Sequence, residues 1–83
     1  MAEYIEQKAL PFHVRVRQLL LMKGVSQNKM EKETGISRRI VYPLKRRPTR
    51  SLLMALAYYF GITVDELVEG TDAYNDWYRI WEE

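Results

Sequence analysis

The chain has 83 residues, enough for one small domain with a thin core, because a chain of this size buries only about two thirds of its unfolded surface. Its composition is 47% apolar and contains no cysteine, which excludes disulfides and thiolate metal sites and suits a reducing compartment. No apolar run is long enough to span a membrane, and the first residues lack the basic-then-apolar order of a secretory signal. We therefore expect a cytoplasmic protein without a membrane partner.

The net charge is only +2, but the charges are distributed unevenly. Residues 37–50 carry six basic side chains and no acidic one, whereas residues 51–83 carry one basic and seven acidic side chains. A cationic block on a nearly neutral domain suits a polyanion that is bound at one surface. A solvated charged loop is the alternative, and the pattern of helices around the block decides between the two.

The first part of the chain predicts one α-helix with two apolar faces. Residues 1–10 predict an arm or a short helix. Pro11 suits the first position of a helix, and the predicted helix covers Phe12 to Met22. At 100° per residue, one face of this helix is apolar and should face the core. Its members are Phe12, Val16, Leu19 and Leu20. Val14 and Leu21 fall nearly opposite, and we expect the arm, a C-terminal aromatic segment or a second subunit to cover them.

The centre of the sequence predicts two short helices joined by a tight turn. Ser26 is a suitable N-cap for a helix over Gln27–Thr34, and Gly35 can adopt the positive φ that ends it. Ser37 is a second cap, followed by a cationic helix that begins at Arg38. This order is typical of a helix-turn-helix: a cap, a first helix, a glycine, a second cap and a basic helix.

Pro43 limits the length of this cationic helix. A proline inside a helix costs about 3 kcal/mol, and the residue before it, Tyr42, is pushed away from helical angles. We therefore expect a short or kinked helix that ends between Val41 and Leu44, with both of these side chains facing the core. Residues 45–48 should then form an exposed basic loop.

Two more helices are predicted after the basic loop. Thr49 can cap a helix over residues 50–60, and Thr63 with Glu66 forms a capping box for a helix over residues 64–69. The expected core residues of the first of these helices are Leu53, Leu56, Ala57 and Phe60.

The last predicted segment is aromatic. Tyr74, Trp77, Tyr78 and Trp81 recur at i, i+3, i+4 and i+7, so they share one helical face. Two interpretations have equal weight: the segment caps the thin core within one chain, or it builds a dimer interface. The chain thus divides into an N-terminal arm (1–10), a helix-turn-helix domain (11–70) and a C-terminal aromatic helical segment (71–83).

An ordered set of residues between positions 16 and 70 resembles the lambda-repressor-like (Xre) helix-turn-helix family. The matching residues are Val16-Arg17-x-Leu19, Lys23-Gly24-Val25-Ser26-Gln27, Gly35-Ile36-Ser37-Arg38, Pro48-Thr49, Leu53, Leu56-Ala57 and Gly61-Ile62-Thr63-Val64-Asp65-Glu66-Leu67. The resemblance implies an all-α, five-helix, DNA-binding domain of bacterial or phage origin, here with an extra aromatic helix. It also implies a homodimer on a near-palindromic operator in double-stranded DNA.

The resemblance also implies a set of DNA contacts. The candidates are Gln27, Ser37, Arg38, Arg39, Tyr42, Lys45, Arg46 and Arg47. Gln27 matches the family's residue that bridges phosphate and the recognition helix, and Ser37 could bind phosphate at the N-terminus of that helix. Arg38 and Arg39 match base-reading positions, since an arginine fork fits guanine O6 and N7. Tyr42 is the next groove-facing candidate, and the three loop cations would hold backbone phosphates.

Glu31 and Thr34 depart from the family, which usually has alanine and leucine at these positions. Because an unpaired buried carboxylate is costly, we expect either that Glu31 finds a partner such as Arg38 or Arg39, or that the two helices cross at an adjusted angle.

Two hypotheses for function follow. The first is a small transcriptional regulator, most simply a repressor, that binds specific DNA. The second is a protein–protein module, such as an antitoxin, an antirepressor or a regulatory partner, on a degenerate helix-turn-helix fold. With His13 as its one histidine, no cysteine and no glycine-rich phosphate loop, the chain is expected to have no catalytic site, metal, cofactor or small-molecule substrate.

Overall fold

The computed structural model describes residues 9–75 and Trp77, and this part of the chain is all-helical. Its elements are α1 (Phe12–Lys23), α2 (Gln27–Thr34), a 3₁₀ helix (Arg38–Val41), α3 (Arg50–Phe60) and α4 (Val64–Val68). The predicted all-α fold with five helical segments is confirmed, but the third segment is a 3₁₀ helix instead of an α-helix. The described residues contain no strand, only an isolated bridge between Leu10 and Thr71.

Local side-chain chemistry sets the helix ends at the predicted places. The hydroxyls of Ser26, Thr49 and Thr63 each accept a hydrogen bond from the backbone N–H three residues on, at 3.1–3.2 Å. Gly24 and Gly35, with φ of 72° and 76°, end α1 and α2 in the left-handed conformation that a side chain would disfavour.

The start of α1 is capped from a distant part of the chain. α1 begins at Phe12 as predicted, and Pro11 is its N-cap instead of its first helical residue. Pro11 has no side-chain donor or acceptor to offer. The backbone N–H of Phe12 instead donates to Asp72 Oδ1 at 3.1 Å. Leu10 exchanges backbone hydrogen bonds of 2.9 Å with Gly70 and Asp72. The segment that enters α1 is therefore tied to the segment that leaves α4.

The core lies between all five helical segments, with Met30 as the buried residue of α2. Its buried apolar side chains are Phe12, Val16, Leu20, Met30, Ile40, Val41, Leu53, Leu56, Ala57, Leu67, Val68, Ala73 and Trp77. Leu19 and Phe60, which were predicted for the core, are half-buried against it. Val41 is fully buried and Leu44 packs against the core, which confirms the prediction for both residues.

The aromatic segment contributes to the core through Trp77. This side chain is 7% exposed and belongs to the buried cluster, whereas Tyr74 is 40% exposed. Tyr78 and Trp81 lie outside the described residues. Trp77 supports the interpretation that the segment caps the core within one chain, and the dimer interpretation stays a prediction. The division into an arm, a domain and an aromatic segment also stays a prediction.

Several large apolar side chains remain on the surface of the described structure. Leu21 and Met22 on α1 are each 82% exposed, and Tyr58 on α3 is 89% exposed. Val14, predicted for the same second face of α1, is half-buried. What covers this face stays a prediction. None of the described helices combines the length and apolar character that crossing a bilayer requires.

Candidate nucleic-acid interface

The cationic block lies on the 3₁₀ helix and the loop that follows it. Ile40 and Val41 turn into the core, with 4% and 0% of their surface exposed. Arg38 and Arg39 are exposed, as is Tyr42 directly after the helix. Burial of one half of this four-residue helix thus presents its two arginines outward.

The first backbone N–H groups of the 3₁₀ helix are used within the protein. The N–H of Arg38 donates to Glu31 Oε2, and the N–H of Arg39 donates to Ser37 Oγ, both at 3.2 Å. These two groups are therefore not offered to a phosphate, contrary to the expectation for a helix N-terminus. The hydroxyl of Ser37 keeps its own proton as a donor, because a hydroxyl donates as well as accepts.

Glu31 is paired with Arg38, but through the backbone N–H of Arg38 and not through its guanidinium. Its carboxylate is half-buried on α2 and accepts from the backbone of Arg38 instead of from a guanidinium. Thr34, the other departure from the family, donates its hydroxyl proton to the Met30 carbonyl at 2.7 Å and accepts from the Ile36 N–H at 3.0 Å. Both polar side chains thus build the turn between α2 and the 3₁₀ helix.

The side chain of Arg38 is held by α2. Its Nη1 donates to Asn28 Oδ1 at 2.8 Å. Asn28 and Glu31 are three residues apart, so they lie on the same side of α2. One face of α2 therefore binds both the backbone and the guanidinium of Arg38.

The end of the 3₁₀ helix is held by α1. Arg17 Nε donates to the Val41 carbonyl at 2.9 Å, and its guanidinium carbon lies 5.8 Å from the centre of the Tyr42 ring. The N–H of Tyr42 closes the last turn by donating to the Arg39 carbonyl at 3.0 Å. Arg17 thus caps the helix and fixes the position of the ring that follows.

The basic loop after Tyr42 forms one wall of an open groove. Lys45, Arg46 and Arg47 are exposed, whereas Leu44 and Leu52 are half-buried along the groove. The groove has a volume of about 760 Å³ and extends to both arginines of the 3₁₀ helix. It therefore combines apolar surface with cations, which suits the sugar-phosphate backbone of a nucleic acid.

The sequence profile of the Cro/C1-type HTH DNA-binding domain matches residues 15–72, which is more than half of the chain. The chain belongs to this family. No curated protein and no solved structure matches the chain significantly. Within this Cro/C1-type domain, α2 and the 3₁₀ helix form the helix-turn-helix. We call the 3₁₀ helix together with Tyr42 the recognition segment, because it stands second in this motif.

Gln27 occupies the first position of α2 and is half-buried. It lines a depression of about 510 Å³ together with Arg17 and Asn28. The hydrogen bond from α2 to the side chain of Arg38 comes from Asn28, the next residue. The predicted bridging role of Gln27 stays a prediction, and the structure brings Gln27 close to the residues that hold the recognition segment.

Sequence reasoning missed Arg17 and Asn28 as parts of the candidate interface. Arg17 was noted only as part of the family pattern, and Asn28 was one polar residue on a polar helix. Their partners are 24 and 10 residues away in the chain, so no local spacing rule links them. The useful signal was Pro43, because a recognition helix that is cut short needs hydrogen-bond partners from other elements at both ends.

The described residues contain no group of three histidine, cysteine or acidic side chains that could hold a metal ion. His13 is half-buried at the start of α1, and it lines a second depression that the basic loop also borders.

Proposed function

We propose that this Cro/C1-type domain is a transcriptional regulator, most simply a repressor, that binds a specific operator in double-stranded DNA. The observation that carries the proposal is the exposed pair Arg38 and Arg39 on a helix whose other half is buried. The two arginines therefore face outward from a backbone segment that the core holds in place. Arginine forks in the major groove are well suited to guanine, at roughly 1–3 kcal/mol of discrimination per bidentate pair.

The remaining candidate contacts divide by chemistry. Tyr42, stacked near the Arg17 guanidinium, is placed to touch a base or sugar at the end of the 3₁₀ helix. Ser37 offers its hydroxyl proton to a phosphate. Lys45, Arg46 and Arg47 supply charge for the DNA backbone. The Cro/C1-type membership and the clustering of these residues around one groove support the assignment.

The length of the recognition segment favours a dimer. A 3₁₀ helix of four residues spans roughly 8 Å at a rise of about 2 Å per residue, which is the height of two to three base pairs. One subunit would then read only a few base pairs, and a homodimer on a near-palindrome would double the site at a spacing of about 34 Å. The exposed apolar residues Leu21, Met22 and Tyr58 supply candidate contact surface. In this proposal the protein acts in the cytoplasm of a bacterium or of a phage-infected cell.

A salt titration tests DNA binding directly. Neutralising about four to six phosphates per subunit predicts a log–log slope of affinity against salt near −4 to −5 per subunit. The measurement is fluorescence anisotropy on a random duplex pool and then on a selected site. Absence of binding at low salt, or binding that ignores salt, would refute the proposal.

A protein partner is the second candidate function. It is favoured by the large exposed side chains of Leu21, Met22 and Tyr58, which could form a protein interface. The double substitution Arg38→Glu and Arg39→Glu separates the two functions. It should abolish DNA binding if the first is correct, and it should leave capture of a specific protein unchanged if the second is correct.

A further inference from the structure

Of the two outward arginines, the structure anchors only one to α2. Arg38 is bound at its backbone by Glu31 and at its guanidinium by Asn28, at 3.2 and 2.8 Å. Within the described part of the chain, no comparable side-chain hydrogen bond holds the guanidinium of Arg39. An arginine side chain has many rotamers, so a second anchor at its far end selects a small subset of them.

The hydrogen bond between Asn28 and Arg38 determines which atoms of the two side chains face outward. A guanidinium has donors only, so Asn28 must turn its oxygen toward Arg38 and its amide nitrogen away. Because Nη1 of Arg38 is taken, the edge formed by Nε and Nη2 remains with two parallel N–H donors. That edge matches the O6 and N7 acceptors of guanine in the major groove.

We propose that Asn28 is a positioning residue for sequence recognition, and that it acts by presenting the Nε–Nη2 edge of Arg38 to one guanine of each half-site. The inference rests on the proposed DNA-binding function and assigns different roles to the two arginines. Arg38 reads a base in a fixed orientation, whereas Arg39 contributes charge that adapts to phosphate or base. Specificity at one position of the operator then depends on a residue of α2.

A double-mutant cycle on full-length protein tests the inference. Affinities are measured for the duplex that wild type selects from a random pool, and for duplexes in which one half-site guanine at a time is replaced. Wild type should prefer guanine on the order of tenfold at one position per half-site. Asn28→Ala should reduce this preference to about twofold or less. In an Arg38→Ala background, Asn28→Ala should change the preference no further, since residues that act as a unit are not additive.

Two further variants separate positioning from other effects. Asn28→Asp keeps an oxygen for Arg38 but loses the amide donors and adds a negative charge. It should weaken binding to all duplexes alike while retaining the guanine preference. Gln18→Ala removes a similar carboxamide from an exposed position of α1, and it should leave both affinity and preference unchanged.

The outcomes distinguish this inference from the proposed function. If wild type binds no duplex at low salt, the proposed function fails and the inference fails with it. If wild type binds and Asn28→Ala keeps the full guanine preference, the inference alone is overturned. Independent, multiplying effects of the Asn28 and Arg38 substitutions would also overturn it, because they would mean that Asn28 contacts DNA by itself.

Discussion

Replacement of Arg17 by alanine should destabilise the domain, because this one side chain caps the recognition segment. The substitution removes the hydrogen bond of 2.9 Å to the Val41 carbonyl and the guanidinium that lies 5.8 Å from the Tyr42 ring. A hydrogen bond from a charged donor is worth about 1.5–3 kcal/mol, and an exposed cation–π contact about 0.5–1 kcal/mol. Since the Arg17 side chain is largely exposed, water replaces part of both contacts. We expect a net loss of about 1–2 kcal/mol in the free energy of unfolding.

Urea denaturation followed by circular dichroism measures this loss. Thermal unfolding should show a Tm lower by about 5–15 °C, because 1 kcal/mol shifts the Tm of a domain of this size by about 4–8 °C. Lys32→Ala is the matched control, because it removes the same charge from an exposed position of α2. Arg17→Lys should restore less than half of the loss, since lysine lacks the Nε donor and its fixed geometry. An Arg17→Ala protein within about 0.5 kcal/mol of wild type would refute the capping role.

Three further predictions follow from the described structure. Trp77→Ala should cost about 2–4 kcal/mol in unfolding free energy, measured by urea denaturation, because a 7% exposed indole leaves a cavity at the edge of the core. Gly35→Ala should cost about 1 kcal/mol in the same assay, since φ is 76° there. Tyr59 donates a hydrogen bond to Glu33, and this bond, burial and the negative charge of Glu33 together raise the pKa of Tyr59 to about 12. Titration of the tyrosine absorbance should show this raised pKa. The contribution of the protonated Tyr59 to the stability of the folded state is present below pH 10 and is lost as the pH rises through 12. Glu33→Gln should lower the pKa of Tyr59 toward 10.

The features that the sequence predicted correctly are those decided by a few neighbouring residues. Ser26 and Thr49 cap helices because a hydroxyl and an N–H three residues on are close in any helix of this kind. Gly35 ends α2 because the left-handed conformation suits glycine. Pro43 limited the recognition helix through its own ring and its effect on Tyr42, which is extended, with φ of −120° and ψ of 164°.

The features that the sequence did not predict depend on residues far apart in the chain. Phe12 and Asp72 are 60 residues apart, and their hydrogen bond exists only because the bridge at Leu10 brings the two segments together. The capping of Val41 by Arg17 needs the packing of α1 against the 3₁₀ helix. Sequence patterns place such residues on a face, but they do not show which backbone group that face will meet.

The recognition segment owes its shape to the helices around it. A 3₁₀ helix of four residues is too short to be stable alone, because its hydrogen bonds are few and poorly aligned and the cost of nucleation is not recovered. In this protein its start is fixed by Glu31 and Asn28 from α2, and its end by Arg17 from α1. Ile40 and Val41 bury its inner half in the core, so the two arginines of its outer half face outward. Pro43 therefore shortens the helix, and hydrogen bonds from α1 and α2 hold its two ends in place of those that extra helical turns would supply.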